Sequence, residues 1–415
     1  MIKRILYTLL IMFPVVASAQ INTDRVMAIG RNALYFEDYV LSIQYFNQVI
    51  NAKPYLSDPY FYRGLAKINL DDFQGAESDC SEAIERNPFV VSAYQVRGLA
   101  RIQQNNFAGA IEDYTKALEF APENIGVWHN MALCRIRQED YKGAKNDLDK
   151  LIAISPRYTK AYLMRGEVDL KQKDTLAAEK DFGKAIEIDR YDADTWASRA
   201  ILRLQQQRYK DAEADFDHAI RLSTRNSGVY INRALARYHQ NNLRGAMSDY
   251  DIALDIDPNN FIGHYNRGLL RAQVGDDNRA IQDFNFVIEM EPDNMMAIFN
   301  RGLLLDQTGD YKGAIKDYST VINEYPNFLL GYQYRAQARR KIGDVKGADA
   351  DEFKVLKAQL DKQNGVDPNK QTADNTENNK TRKKSDKNMN NYRKIVVADN
   401  EEGEEKYKSD YRGRV

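Results

Sequence analysis

The chain has few of the side chains that carry metal and nucleophilic chemistry. Its 415 residues include only two cysteines and four histidines. The histidines are His129, His218, His239 and His264. None has the spacing to Cys, Asp or Glu that places metal ligands on one helix face. Phosphate-binding glycine loops and nucleophile elbows are also missing, so we predict no catalytic residue, no metal and no cofactor.

Charge of one sign is lacking as well. The chain has 59 Lys and Arg against 60 Asp and Glu, which gives a formal net charge of -1 at pH 7. This balance provides no net attraction to nucleic acid or to an anionic membrane, and we predict neither as a partner. Apolar residues make up 43% of the chain and charged residues 29%, enough to bury a long core and remain soluble.

The sequence does contain a strict repeat of 34 residues. An alanine, followed three positions later by an aspartate, returns at this period nine times. Two fixed phases over so long a period are typical of a solenoid, in which each unit stacks on its neighbours. The alanines are Ala76, Ala110, Ala144, Ala178, Ala212, Ala246, Ala280, Ala314 and Ala348, and the aspartates are Asp79, Asp113, Asp147, Asp181, Asp215, Asp249, Asp283, Asp317 and Asp351.

A second pair of phases places an arginine before a small residue. The pairs are Arg63-Gly64, Arg97-Gly98, Arg165-Gly166, Arg199-Ala200, Arg233-Ala234, Arg267-Gly268, Arg301-Gly302 and Arg335-Ala336, with Met131-Ala132 as the exception. The small residue lets one helix approach another closely. We predict that the Arg and the Asp of each unit form an inter-helix ion pair. Because exposed pairs stabilise little, we expect it to specify packing geometry more than to supply stability.

The unit from Met295 to Ile322 indicates a helical hairpin. Its apolar residues follow a helical rhythm on both sides of the Gly309-Asp310 turn. Glycine can end the first helix, and an Asp or Asn can cap the second. The predicted caps are Asp72, Asn106, Asp140, Asp174, Asn242, Asp276, Asp310 and Asp344, with Arg208 breaking the series. Prolines that would stop the second helix are Pro54, Pro88, Pro122, Pro156, Pro258, Pro292 and Pro326.

These phases resemble the tetratricopeptide repeat family. One unit reads Tyr60, Gly64, Phe73, Ala76, Cys80, Ala83 and Pro88 at the family's positions, and another reads Trp128, Ala132, Tyr141, Ala144, Leu148, Leu151 and Pro156. The resemblance implies an all-α fold, a right-handed superhelical solenoid of about ten 34-residue helix-turn-helix repeats. We expect nine repeats over 57–362 and a degenerate one over 20–56, since terminal repeats are commonly atypical.

The N-terminus predicts export. Residues 1–19 combine two basic residues, an apolar stretch and the tripeptide Ala17-Ser18-Ala19, which is typical of a secretory signal peptide cleaved after Ala19. The alternative is a membrane anchor, but the apolar run is short and contains Pro14. We therefore expect a bacterial periplasmic or secreted protein that has no integral membrane span after cleavage.

The two cysteines are predicted to be buried packing residues. Cys80 falls at the aromatic core phase of a second helix, and Cys134 lies two residues after the small residue of a first helix. A disulfide is the alternative, because an exported chain meets an oxidising compartment. Their positions in separate repeats favour packing.

Residues 363–415 are predicted to be a disordered tail, because they are too polar to bury much apolar surface. A basic block and an acidic block flank the apolar cluster Ile395-Val396-Val397. The tail is either a solvated extension or the carrier of a short linear motif that adds a strand or binds a groove in a partner.

The resemblance places the binding surface on the concave face, which first helices form in this family. The candidate residues are Asn130, Asn232, Asn266 and Asn300 in one row, Ile231, Tyr265 and Phe299 in the next, and Leu235, Leu269, Leu303 and Met296 beside them. Amides can donate to and accept from a peptide backbone, and aromatic residues can bury its side chains. The alternative is that these residues only contact adjacent helices.

The function expected from this pattern is that of a non-enzymatic, exported scaffold or adaptor for a protein or peptide partner. Two other classes remain open. A periplasmic chaperone or assembly factor would bind many unfolded clients weakly. An envelope enzyme would use the solenoid as a substrate cradle and would need a cluster of perturbed carboxylates or a metal.

Overall fold

The computed structural model describes residues 22–222, 225–364, 389 and 393–395. Over these ranges the chain forms twenty α-helices and no strand, which confirms the predicted all-α fold. The signal peptide predicted for 1–19 lies outside the described residues. So does most of the tail predicted for 363–415, and both assignments stay predictions.

The chain divides into two compact units, with the boundary between Ile188 and Asp189. The described part of the first unit contains ten helices. These are α1 (Thr23–Tyr35), α2 (Tyr39–Ala52), α3 (Asp58–Ile68), α4 (Phe73–Arg86), α5 (Val91–Gln103), α6 (Phe107–Phe120), α7 (Ile125–Arg137), α8 (Tyr141–Ile154), α9 (Thr159–Lys171) and α10 (Thr175–Ile188). They pair in order as five hairpins.

The second unit holds the next ten helices of the described chain. These are α11 (Ala193–Gln205), α12 (Tyr209–Arg221), α13 (Ser227–His239), α14 (Leu243–Ile256), α15 (Phe261–Gln273), α16 (Asp277–Met290), α17 (Met295–Thr308), α18 (Tyr311–Glu324), α19 (Leu329–Lys341) and α20 (Val345–Gln363). Met389 and residues 393–395 belong to this unit.

Within each unit the hairpins stack in sequence order. The second helix of a hairpin packs against its own first helix and against the first helix of the next hairpin. First helices of successive hairpins also touch, as α11 does with α13 and α15 with α17. The ten hairpins match the ten repeats that the sequence period predicts, and consecutive helix pairing is the packing of a solenoid.

The turn inside each hairpin requires one residue in the left-handed region. Glycine supplies it in the last three hairpins, at Gly275, Gly309 and Gly343, where φ is +82°, +94° and +83°. The expectation that glycine ends the first helix therefore holds in these three. Elsewhere an ordinary residue adopts a φ of 59–65° despite the steric cost to its Cβ. These residues are Glu37, Asp71, Asn105, Glu139, Lys173, Gln207 and Asn241.

The predicted caps of the second helices form in seven of eight positions. In each, the side-chain oxygen accepts a hydrogen bond from the backbone N–H three residues later, at 2.9–3.1 Å. The residues are Asp72, Asn106, Asp140, Asp174, Asn242, Asp310 and Asp344. Asp276 is the exception, because its carboxylate instead pairs with Arg279 at 2.8 Å.

The prolines end the second helices as predicted. Each of the seven lies two residues beyond the end of a helix, as Pro326 does after Glu324 of α18. The residue before proline is disfavoured in the helical region, which sets this boundary. Helix α10 ends at the same phase although Arg190 stands in the proline position, so proline is not needed for a helix to end there.

The repeated small residues bring the two helices of a hairpin into close contact. A Cβ added at Gly98 would lie 2.7 Å from the Tyr114 ring, closer than carbon atoms approach. Cys80 and Cys134 are both buried with free thiols, as the packing interpretation predicts. Burial raises the pKa of the Cys134 thiol to about 12, which keeps it protonated and unreactive near neutral pH.

Candidate functional site

The Asp of each second helix is held by the Arg that lies sixteen residues earlier on the first helix. In eight hairpins the closest guanidinium nitrogen is 2.5–2.8 Å from the carboxylate oxygen. The predicted inter-helix ion pair is therefore confirmed. The pairs are Arg63–Asp79, Arg97–Asp113, Arg165–Asp181, Arg199–Asp215, Arg233–Asp249, Arg267–Asp283, Arg301–Asp317 and Arg335–Asp351.

These pairs are more buried than the sequence analysis assumed. The carboxylates are 1–7% exposed and the guanidiniums 11–23%. An exposed ion pair contributes about 0–1 kcal/mol, but removing one partner of a buried pair costs about 3–5 kcal/mol. Each Arg–Asp pair therefore contributes to the stability of its hairpin, and its loss should cost more than the loss of an exposed pair.

The same arginines also connect neighbouring hairpins, which sequence reasoning missed. Arg233 on α13 binds Asp249 on α14 through Nη2 at 2.6 Å and Asp217 on α12 through Nη1 at 2.7 Å. Arg267 on α15 repeats this with Asp251 on α14 at 2.8 Å. The signal was present in the sequence, because short polar residues recur at this phase with the 34-residue period from Asn47 to Ser319, with Gly183 as the exception. Those bonded in this way are Asn47, Ser81, Asp149, Asp217, Asp251, Asn285 and Ser319.

One hairpin lacks its arginine, and its carboxylate is perturbed. Met131 occupies the Arg phase, so Asp147 faces only Arg135, whose Nε lies 2.7 Å from Oδ2 without hydrogen-bond geometry. Burial raises the pKa of Asp147 to about 6, and Arg135 offsets this only in part. Burial acts in the same direction on Asp283, but hydrogen bonds from His264 and Arg267 outweigh it and hold the pKa of Asp283 below its usual value.

The predicted row of asparagines is buried. Asn232 and Asn266 have no exposed surface, and Asn130 and Asn300 are 3% and 5% exposed. The Asn300 amide donates to the Met296 carbonyl oxygen at 2.9 Å and to the Tyr265 hydroxyl at 3.3 Å. The Asn300 amide therefore connects two successive first helices, α15 and α17.

The predicted apolar row is buried with them. Ile231 and Phe299 are 0% exposed and Tyr265 is 4% exposed. The Phe299 ring meets Phe328 edge-on, with 5.0 Å between the ring centroids. Truncating Phe299 would open a cavity in this packing, so that substitution tests stability and not recognition.

The leucines beside these rows form a continuous stripe on the first helices of the second unit. Leu235, Leu269 and Leu303 are spaced by 34 residues, and Ile201 extends the series by one hairpin, which sequence reasoning missed. Because they share one phase of stacked hairpins, they share one face. The next position in this unit is Gln337. We call Ile201, Leu235, Leu269 and Leu303 the aliphatic row.

Two apolar clusters underlie the aliphatic row. Leu269 and Leu303 are half-buried against a cluster that includes Tyr265, Met296 and Phe299, which we call the α15–α19 cluster. Ile201 packs against a second cluster, which includes Leu235, Ala197 and Val229 and which we call the α11–α13 cluster. Tyr265, Met296 and Phe299 thus share one cluster and Leu235 lies in another, whereas Ile231 lies in a third cluster with Ala234 and Tyr250. Asn130 lies in the first unit.

The histidines pack singly. The rings of His218 and His239 stack on Trp196 and Tyr209, with centroids 4.2 and 4.4 Å apart. Across the described ranges, no three His, Cys, Asp or Glu side chains are grouped so that they could hold a metal ion. None of the helices in those ranges combines the length and the apolar character that crossing a bilayer needs.

Tetratricopeptide repeat models match residues 91–124, 125–158, 159–192, 198–261 and 265–327. The chain belongs to the tetratricopeptide repeat family. The fold of the tetratricopeptide repeat (TPR) family is a scaffold suited to protein–protein interaction. No curated protein sequence matches the chain.

Several solved structures are similar in fold to this TPR protein. A tetratricopeptide repeat protein from Parabacteroides merdae is 21% identical, with 60% of this chain and 98% of that chain covered at a TM-score of 0.47. The C-terminal part of a TPR repeat-containing protein from Cytophaga hutchinsonii is 18% identical, with 57% and 97% covered at a TM-score of 0.48. PilF of Pseudomonas aeruginosa is 20% identical, with 49% and 92% covered at 0.43.

Proposed function

We propose that this TPR protein is a non-enzymatic, exported scaffold that binds a protein partner through the aliphatic row of the second unit. The observation that carries the proposal is the stripe from Ile201 to Leu303, which continues over four first helices. A stripe of this kind can bury the apolar side chains of an extended or helical segment. The export part of the proposal rests on the pattern of residues 1–19.

Two positions in the chain support reading the aliphatic row as a surface and not only as core. The phase of the row is occupied by Glu167 in α9 and by Gln337 in α19. The fold therefore accepts polar side chains there, whereas the Ala and Asp phases do not vary across the nine units. This phase is aliphatic in seven of the nine units and polar in two, so the stack tolerates a polar side chain there.

The test is capture of a partner from the native host by the tagged full chain, taken from the exported fraction. We expect one protein to be recovered in stoichiometric amount. Changing Leu269 and Leu303 together to Gln should reduce its recovery by about tenfold or more, because their apolar surface would no longer be buried against the partner. The matched control is Leu356→Gln on α20, a leucine that is 53% exposed elsewhere in the same unit.

Circular dichroism must show unchanged helix content for both variants. A partner recovered equally well by the Leu269→Gln and Leu303→Gln double variant would refute the proposed surface. Recovery of many unfolded clients in small amounts would instead indicate a chaperone. Chain found only inside the cell, with residues 1–19 still attached, would refute export.

A further inference from the structure

Two apolar residues beyond the last helix pack against the second unit. Met389 is 5% exposed and belongs to the α15–α19 cluster. Ile395 packs against the α11–α13 cluster. The residues of the aliphatic row belong to or pack against the same two clusters, so Met389 and Ile395 share their apolar neighbourhood with the candidate binding surface.

The burial of the described tail residues follows their chemistry. Met389 and Ile395 are packed, whereas Arg393 and Lys394, which lie between them, are exposed. A segment that lies on an apolar surface shows this separation, with apolar side chains against the protein and charged ones in water. Ile395 also begins the apolar cluster Ile395-Val396-Val397, which the sequence analysis singled out as a possible linear motif.

The chain has ample length to make these contacts. About 25 residues separate Asn364, at the end of the last hairpin, from Met389, and an extended chain of that length spans about 80 Å. Met389 and Ile395 are six positions apart, which corresponds to about 20 Å of extended chain. Packed helices lie about 10 Å apart, so this distance suffices to pass from one cluster towards the other.

We propose that the segment from Met389 to Ile395 is an intramolecular ligand of the second unit and occupies the aliphatic row in place of a protein partner. The proposal rests on the proposed function in one respect, namely that the row is where a partner binds. A partner must then displace the segment, and its apparent affinity is reduced by the fraction of molecules in which the row is covered. The tail would act as a built-in competitor.

The rate of methionine oxidation in the intact full chain tests this contact without any partner. Oxidation to the sulfoxide follows exposure of the side chain. Met290, at the end of α16, is 54% exposed and serves as the internal reference for a free methionine. Treated with dilute hydrogen peroxide and read by peptide mass spectrometry, Met389 should oxidise about tenfold more slowly than Met290.

Two variants make the result specific. Ile395→Asp removes the second apolar contact of the segment, and Met389 should then oxidise at a rate close to that of Met290. Lys394→Gln is the matched control, because Lys394 is exposed, and it should leave Met389 protected. Equal oxidation of Met389 and Met290 in the unaltered chain would overturn the proposal, as would protection that Ile395→Asp does not change.

The outcome is separable from that of the partner experiment. If Met389 is not protected but capture depends on Leu269 and Leu303, the intramolecular ligand is refuted and the proposed function is supported. If Met389 is protected but capture does not depend on the aliphatic row, the intramolecular ligand is supported and the proposed function is refuted.

Discussion

At the scale of single residues, the buried carboxylates show how the same position can have opposite effects on stability. Asp283 receives bonds from two arginines and His264, whereas Asp147 has only Arg135 nearby. Both lie at the same phase of the repeat and both are nearly fully buried. Asp113 and Asp249 each face two arginines and have a raised pKa, so the hydrogen bond from His264 distinguishes Asp283.

This difference predicts opposite responses to substitution by Asn. The pKa of Asp147 is raised to about 6, so the folded state retains a proton that the unfolded state loses near pH 4. The contribution of Asp147 to the free energy of unfolding should therefore fall as the pH rises from 4 to 6. Asp147→Asn cannot ionise, so its stability relative to the unaltered chain should rise over that interval by up to about 3 kcal/mol.

Asp283→Asn is the matched comparison. The pKa of Asp283 is lowered, so its charge stabilises the fold above the unfolded pKa and the contribution is lost only in acid. Its replacement should destabilise the chain by about 3 kcal/mol at pH 7, because two partly buried arginines lose their partner. Urea unfolding of both variants and of the unaltered chain at pH 4.5, 5.5 and 7 measures these differences in the free energy of unfolding. Two variants that lose the same stability with the same pH dependence would contradict the assignment.

The residue scale also shows what the sequence could and could not provide for the candidate site. The phases of Asn232, Asn266 and Phe299 were correctly placed on first helices, because the 34-residue period determines register. Their burial was not predictable, since it depends on how far one hairpin overlaps the next. The same row of amides and aromatic rings can line a groove or pack between helices, and the positions of the neighbouring helices decide which.

At the scale of the helical hairpin, most of the structure follows from local rules. The prolines predicted where the second helices end, and the Asp or Asn caps predicted where they begin. The turn was less predictable. Glu139 and Lys173 adopt a left-handed conformation that glycine would favour, because stacking of the two helices fixes the chain path through the turn.

The caps predict a clear difference between two neighbouring hairpins. Asp310 accepts a hydrogen bond from the Gly313 N–H at 3.0 Å, whereas the Asp276 side chain makes no capping bond. Asp310→Ala should therefore destabilise the chain by about 1 kcal/mol, as loss of an N-cap does. Asp276→Ala should change stability by less than about 0.5 kcal/mol, since it removes only a surface ion pair.

Thermal denaturation followed by circular dichroism at 222 nm compares the two cap variants under the same conditions. A lower midpoint for Asp310→Ala alone supports the assignment. If both variants lowered the midpoint equally, Asp276 would have to act as a cap as well, which its side-chain geometry does not show.

At the scale of the whole molecule, the tail is where sequence and structure differ most. Composition predicted disorder for residues 363–415, and this stays a prediction for the residues outside the described part of the chain. Composition averages over a segment and does not detect two apolar residues six positions apart. Met389 and Ile395 reach their clusters across about 25 residues that have no repeat pattern, so no periodic signal could reveal the contact.

The binding of a synthetic peptide tests the central claim, that the aliphatic row of the second unit binds a protein segment and holds the chain's own tail. The peptide spans residues 386–398 and is titrated, with fluorescence anisotropy as the readout, into the full chain and into its Ile395→Asp variant. We predict that the variant, whose row is open, binds the peptide at least about tenfold more tightly than the unaltered chain. A control peptide with Asp at both Met389 and Ile395 should not bind. Failure of the unaltered peptide to bind the Ile395→Asp chain, or equal binding by both chains, would contradict the account.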